Sequence, residues 1–171
     1  MIEHGHNFST ETDSEVVSEL IDYCYNGDPV AAVRIAESKI KGSYSFGILF
    51  KDYPWQIIVM RKDSPLIIGA GRGENFIASD VPAILKHTRD VYRLGERELA
   101  ILTKDGVTVI NSYGERVNCV YEHIDWDASA AEKCGYPHFM IKEIMEQPEA
   151  IAKTIAPRTS NGRIELGFKH I

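Results

Sequence analysis

Cysteine is scarce in this sequence and follows no pattern. The 171 residues contain three cysteines, Cys24, Cys119 and Cys134. An odd number at scattered positions argues against the disulfide framework of a small secreted protein. We therefore expect reduced thiols.

Long apolar runs are also absent. Runs such as Phe46 to Phe50 and Pro65 to Ile68 are far shorter than the roughly 20 residues that a membrane-spanning helix needs. The first residues also lack the basic and apolar regions of a signal peptide. We therefore expect no membrane partner and a cytoplasmic location.

The sequence has no excess of positive charge. Its formal net charge is -6 and its isoelectric point is near 5.5. Such a protein has no general attraction to phosphate backbones, so we expect no nucleic-acid partner. Internal repeats and low-complexity tracts are not found either.

What the sequence does contain is enough apolar material for one sizeable core, since 44% of its residues are hydrophobic. Thr12 and Glu15 match a capping box and predict a helix from about Ser14 to Tyr25. Asp28 as N-cap and Pro29 in the first turn predict a second helix, which ends at Gly42.

From Ser43 the apolar period changes to two, which predicts a strand with Tyr44, Phe46, Ile48 and Phe50 on one face. Further short strands are predicted at Ile57–Met60, Leu66–Gly69 and Asn75–Ala78. A short helix from Asp80 to about Lys86 follows.

A hairpin is predicted where Leu99–Thr103 and Val107–Ile110 flank Asp105 and Gly106, a pair suited to a type I′ turn. Both strands are apolar on both faces, so the sheet must be covered on both sides. A polar, aromatic-rich passage runs from Tyr121 to His138. The order of helices, antiparallel strands and a last helix from Phe139 to Ile155 predicts the α+β class.

Two patterns resemble functional sites but fit them poorly. Gly69, Gly71 and Gly73 have neither dinucleotide nor Walker-loop spacing, and are better explained as a turn between strands. Cys119 with His123, and Cys134 with His138, lack the paired cysteines of a zinc knuckle. We expect no metal site.

Asp13 is the acidic residue with two competing interpretations. It lies at the start of the first predicted helix, where exposed N–H groups favour a carboxylate, so it could be a helix cap. It could instead be an anion that pairs with a substrate ammonium group.

Four segments resemble a known family. Ser9 to Val16, Ser-Thr-Glu-Thr-Asp-Ser-Glu-Val, is similar to a motif of the class II, or N-terminal-nucleophile, glutamine amidotransferases. Three longer segments resemble the fructose-6-phosphate aminotransferase branch of that family in particular. These are Arg61–Ile68, Gly73–Asp80 and Tyr136–Pro148.

The resemblance implies an N-terminal-nucleophile hydrolase fold, an αββα four-layer sandwich, here incomplete because the N-terminal strands are missing. In that family an N-terminal cysteine attacks the side-chain amide of glutamine, an Asn-Gly pair stabilises the oxyanion, and ammonia passes to a sugar-isomerase domain that makes glucosamine 6-phosphate. No metal or organic cofactor is implied.

The resemblance places residues 1–157 in a partial glutaminase domain and residues 158–171 at the start of a linker toward a sugar-isomerase domain. At its beginning the family has the cysteine nucleophile, a carboxylate-binding Arg-Trp segment and an Asn-Gly pair, and this sequence lacks all three there, so no catalytic residue is assigned. The one site residue carried over is Asp13, which binds the α-ammonium of glutamine in the family. We expect these residues alone to be inactive and to form a homo-oligomer.

Two other functions stay open at this point. The protein could be a non-catalytic interaction module that keeps the fold. It could also belong to another class II amidotransferase, such as the amidophosphoribosyl kind, although the segment Tyr136–Pro148 speaks against that.

Overall fold

The computed structural model describes residues 1–2, 5–125, 134–160 and 163–164. The protein divides into two compact units, Met1–Asp125 and Trp126–Ile171.

Two helices open the first unit, α1 at Asp13–Cys24 and α2 at Pro29–Glu37. Asp28 caps α2 as predicted, because its carboxylate accepts the N–H groups of Val30 at 2.9 Å and Ala31 at 3.1 Å. α2 ends at Glu37, earlier than predicted. Gly42, with φ of 92°, then turns the backbone toward the first strand.

The first unit contains two antiparallel sheets. The first sheet has the order β1-β2-β6-β7-β8, and its strands are β1 Tyr44–Ile48, β2 Gln56–Lys62, β6 Leu99–Thr103, β7 Gly106–Ile110 and β8 Arg116–Val117. The second sheet has the order β4-β3-β5-β9, and its strands are β3 Ile67–Ala70, β4 Asn75–Ala78, β5 Asp90–Arg93 and β9 Glu122–His123.

The first sheet is apolar on both faces, as the hairpin pattern predicted. Along β2 the buried side chains of Ile58 and Met60 join α1 and α2 in one core cluster. Val59 points the other way and joins Ile68 of the second sheet in another cluster. The unit is therefore built as a helix layer, a sheet and a second sheet, which agrees with the predicted α+β sandwich.

The predicted helix after Asp80 is shorter than expected. Asp80 accepts the N–H of Val81 at 2.7 Å, but only a 3₁₀ turn, Val81–Ala83, follows. Ile84 next to this turn lies against Gly69 of β3, so the segment covers the outer face of the second sheet.

The predicted capping box of α1 is wrong. Thr12 occupies the N-cap position, but its side chain makes no capping hydrogen bond to the helix. Its hydroxyl is instead 2.8 Å from the hydroxyl of Thr10. Glu15 turns back toward Ser9 and Thr10 rather than toward Thr12.

The predicted hairpin is present, but its predicted turn type is wrong. Thr103 pairs with Gly106, so the two loop residues are Lys104 and Asp105. A type I′ turn needs positive φ at both loop residues, and within the described residues neither of these has one. The hydroxyl of Thr103 accepts the N–H of Asp105 at 3.3 Å and stabilises the turn from inside.

The second unit is described from residue 134 onward. α3 spans Phe139–Ile155 with the predicted bounds and contains Pro148, and a 3₁₀ turn at Ala156–Arg158 follows. β10 Thr159–Ser160 pairs with β11 Arg163–Ile164. Part of the passage from Tyr121 to His138 lies outside the described residues, and the domain boundary at residue 157 stays a prediction.

Candidate functional site

Asp13 is the first residue of α1, one position after the N-cap. Its carboxylate is exposed at the helix start, where free N–H groups favour negative charge. No hydrogen bond or ion pair involves this carboxylate in the part of the protein that the structure describes. The cap interpretation of Asp13 therefore does not hold, because Thr12 takes the cap position and Asp13 accepts no helical N–H group.

The segment before α1 is held by one carboxylate. One oxygen of Glu15 accepts the N–H and the hydroxyl of Ser9, both at 2.7 Å. The other oxygen accepts the N–H of Thr10 at 2.7 Å and also the Thr10 hydroxyl. These bonds, led by the one from the Thr10 hydroxyl, lower the pKa of Glu15 to about 2.

A cavity of about 410 Å³ lies beside Asp13, between α1 and the beginning of β1. Apolar side chains from the helix and from β1 form much of its wall, and charged groups from both sides line it as well. The lining residues are Asp13, Ser14, Val16, Val17, Leu20, Lys39, Ile40, Lys41, Ser43, Tyr44 and Phe46. An open pocket with an apolar wall and few charged groups is typical of small-molecule sites.

Two aromatic rings of β1 give this wall its shape. The rings of Tyr44 and Phe46 stack with centroids 4.9 Å apart and planes 9° apart. Tyr44 is buried, and burial followed by the charge of Glu37 raises the pKa of its hydroxyl. Tyr44 is therefore a neutral wall residue rather than a general base.

The cavity lies next to a sheet edge. β1 is the edge strand of the first sheet and β4 is the edge strand of the second. The two edges are on the same side of the sandwich, because a Cβ built on Gly47 of β1 would lie 2.8 Å from Ile77 Cδ1 of β4. Neither strand carries a charged residue.

The cysteine and histidine pairs do not form a metal site within the described ranges, where no group of three possible ligands occurs. Cys119 donates weakly to the carbonyl of Val117 at 3.8 Å, and burial raises the pKa of its thiol. His123 instead lies 2.7 Å from a carboxylate oxygen of Asp90. The expected absence of a metal stays a prediction.

Of the three glycines that were predicted to form a turn, Gly71 and Gly73 lie in the turn after β3, whereas Gly69 is part of β3 itself. Ala70 pairs with Asn75, the N–H of Gly71 donates to the carbonyl of Glu74 at 3.0 Å, and Gly73 has φ of 73°. This is a tight connection between β3 and β4 rather than a phosphate cradle.

Sequence reasoning missed two features of the site. Lys39 and Lys41 line the cavity, although nothing in their spacing distinguished them from other surface lysines. Glu15 was predicted to bond with Thr12, but its carboxylate accepts hydrogen bonds from Ser9 and Thr10 instead. The signal that could have found it is the pair of hydroxyl residues, Ser9 and Thr10, six and five positions before the carboxylate.

Comparisons with known proteins link this sequence to amidotransferases. No protein-family model matches it. It is 53% identical over 161 residues, 94% of its length, to glutamine–fructose-6-phosphate aminotransferase (isomerizing) of Caldanaerobacter subterraneus subsp. tengcongensis. The proteins of the same name from Clostridium acetobutylicum and Thermotoga maritima are 50% and 42% identical to it. The 171 residues span about a quarter, 26% to 27%, of the length of these relatives.

Solved structures show the fold. Glutamine phosphoribosylpyrophosphate amidotransferase from B. subtilis, complexed with ADP and GMP, matches 65% of this protein and 25% of its own length. The TM-score is 0.56 and the sequence identity is 24%. The allosteric regulatory enzyme of purine biosynthesis matches with the same TM-score and identity. The predicted N-terminal-nucleophile hydrolase fold is thereby confirmed.

Proposed function

We propose that these 171 residues form part of the glutamine-hydrolysing region of a glutamine–fructose-6-phosphate aminotransferase. The observation that carries the proposal is 53% identity to such an enzyme across 94% of the sequence. The fold supports it, because the solved structures that match include a glutamine amidotransferase. In the reaction, water hydrolyses the C–N bond of the glutamine amide group to give glutamate and ammonia, and the ammonia is delivered for glucosamine 6-phosphate synthesis.

The part of this segment in that reaction is to bind the amino-acid end of glutamine. None of the three cysteines among these residues matches the N-terminal nucleophile, because all three are internal. Asp13 is the group suited to the α-ammonium of glutamine. Its carboxylate lines an open cavity and has no competing partner among the described residues.

The cavity fits a small zwitterion. Asp13 supplies a negative charge, Lys39 and Lys41 supply positive charge, and the apolar wall accommodates the methylene groups of a glutamine side chain. A charge-assisted hydrogen bond from the ammonium to Asp13 would be stronger than a neutral one. Glutamine is therefore the small-molecule partner that we propose for this site.

Three further proposals concern partners and location. Among the described residues, no helix could span a membrane. Together with the net charge of -6, this supports a cytoplasmic protein without a nucleic-acid or membrane partner. We also propose a homo-oligomer, because two uncharged edge strands, one from each sheet, lie on the same side of the sandwich.

A segment exchange tests the function directly. The matching 161 residues of the Caldanaerobacter relative are replaced by those of this protein, and both ammonia release from glutamine and glucosamine 6-phosphate formation are measured. We expect both activities. A well-folded chimera that releases no ammonia would contradict the proposal and favour a non-catalytic interaction module.

The same chimera tests Asp13. Asp13→Asn keeps the shape but removes the charge, so the KM for glutamine should rise on the order of ten- to hundredfold while kcat changes little. Asp105→Asn, in an exposed turn away from the cavity, is the matched control and should leave the KM unchanged. Equal KM values for the Asp13 variant and the parent chimera would show that Asp13 does not bind the substrate.

A further inference from the structure

The carboxylate of Glu15 is fully occupied by donors. A carboxylate offers about four acceptor positions on its two oxygens. Here each oxygen accepts two hydrogen bonds, from the N–H and hydroxyl of Ser9 and from the N–H and hydroxyl of Thr10. No acceptor position is left for a substrate ammonium group, and Glu15 does not line the cavity.

These bonds continue into the residue that precedes Asp13. Because the Thr10 hydroxyl gives its one proton to Glu15, the Thr12 hydroxyl must donate to Thr10, at 2.8 Å. The N–H of Thr12 also approaches the Thr10 oxygen at 3.4 Å. At the start of α1, hydrogen bonds of side chains and backbone thus form a ring that joins Glu15, Thr10 and Thr12.

Asp13 depends on this ring for its position. Its own carboxylate has no anchoring bond within the described residues, so its direction is set by the backbone between Thr12 and Glu15. A binding group held by its neighbours loses less freedom when the ligand arrives, and this preorganisation strengthens binding.

We propose that Glu15 is a positioning residue for glutamine binding, which holds residues 9–12 so that the Asp13 carboxylate meets the α-ammonium group of the substrate. The proposal rests on the function proposed above. It assigns Glu15 an indirect part, through Asp13, and no contact with the substrate.

The first test uses the chimera with Glu15→Gln. The amide keeps one acceptor oxygen, but its NH₂ group must face the donors of either Ser9 or Thr10 and cannot accept from them. Glu19→Gln is the matched control, because Glu19 lies on the same helix, carries the same charge, and binds His6 at 2.7 Å instead. Kinetics are measured with glutamine and with glutaramate, which is glutamine without its α-amino group.

We expect Glu15→Gln to raise the KM for glutamine on the order of three- to thirtyfold, with kcat nearly unchanged. The KM for glutaramate should not change, because that substrate has no ammonium group for Asp13. The Glu19→Gln control should change neither the KM for glutamine nor the KM for glutaramate. An equal rise in KM for both substrates, or no rise for glutamine, would overturn the positioning role. An inactive parent chimera would instead contradict the proposed function.

The second test uses the 171-residue protein and needs no activity. The N–H groups of Ser9 and Thr10 donate to Glu15, so Glu15→Gln should speed their hydrogen exchange, as well as that of Thr12. The Glu19→Gln variant should leave these amides as they are in the parent. Unchanged exchange in the Glu15 variant would show that the ring does not hold this segment, and the proposal would fail.

Discussion

Gly69 lets a neighbouring segment pack closely on the second sheet, because its side chain is only a hydrogen atom. It lies in β3, which has a neighbouring strand on each side. A Cβ at this position would lie 2.6 Å from Thr88 Cγ2 and 2.7 Å from Ile84 Cδ1. Thr88 cannot rotate away freely, because its hydroxyl donates to the carbonyl of Ala70 at 2.5 Å. The segment that covers the second sheet therefore requires glycine here.

Gly69→Ala should lower the free energy of unfolding by about 1–3 kcal/mol through overpacking. Gly106→Ala is the control, since a Cβ there meets no atom within 4 Å and the φ of Gly106 is not positive. The control should be neutral or slightly stabilising. Urea denaturation of the three proteins measures the difference. Equal stability of the two variants would contradict the close packing at Gly69.

At the scale of elements, α2 is joined to the first sheet by a buried ion-pair network. The Glu37 side chain is only 5% exposed and contacts Arg34 at 3.0 Å and Arg97 at 2.8 Å. Arg34 also donates to the carbonyls of Ile110 and Asn111 at 3.0 and 2.7 Å. One helix and the end of β7 are thereby held together by charged side chains.

Glu37→Ala should reduce the free energy of unfolding by about 1–3 kcal/mol, because Arg34 and Arg97 lose the carboxylate that they share while Arg34 stays half-buried. Glu149→Ala removes a comparable contact, to Lys153 at 2.6 Å, but both partners are exposed on α3. That control should have little effect. Thermal denaturation distinguishes the two variants, and a neutral Glu37→Ala would mean that the network does not stabilise the fold.

The elements that the sequence predicted well are those whose apolar pattern decides their burial. β6 lies where the pattern predicted it and the bounds of α3 agree with the prediction, whereas β1 ends at Ile48, before Phe50, which the pattern had placed on the same strand. β5 was missed because the charged residues Asp90 and Arg93 flank only two apolar ones, and its strand exists through pairing with β3. The capping box failed because the Thr12 hydroxyl is engaged by Thr10, a choice that spacing alone does not reveal.

The site was predictable only in part, because spacing along the sequence does not show which segments meet in the fold. Asp13 came from the family resemblance, because its position at a helix start fits a cap equally well. The cavity is assembled from α1, from residues 39–43 and from β1. α1 is separated from the other two segments by α2 and several turns, so their meeting depends on the packing of the helices on the sheet.

At the scale of the whole molecule, two kinds of exposed surface favour association with another protein molecule. β1 and β4 are edge strands on one side of the sandwich, and they lack the charges and prolines that usually protect such edges. α3 separately exposes an apolar series. Its members are Phe139, Met140, Ile141, Ile144, Met145, Ile151 and Ile155. Exposed edges and apolar patches of this kind favour contact with another protein molecule.

We therefore expect the 171-residue protein to self-associate and to release no ammonia from glutamine, since its three cysteines are internal and none has a free α-amino group. Light scattering across a dilution series measures the mass, and an ammonia assay on the same sample measures turnover.

Ser45→Lys places a charge on the exposed edge strand β1 and should shift the equilibrium toward the monomer, whereas Ser38→Lys, exposed just after α2, should not. A monomer at high concentration would refute association, and identical masses for both variants would place the contact away from β1. Turnover at enzymatic rates would show that these residues contain a nucleophile of their own.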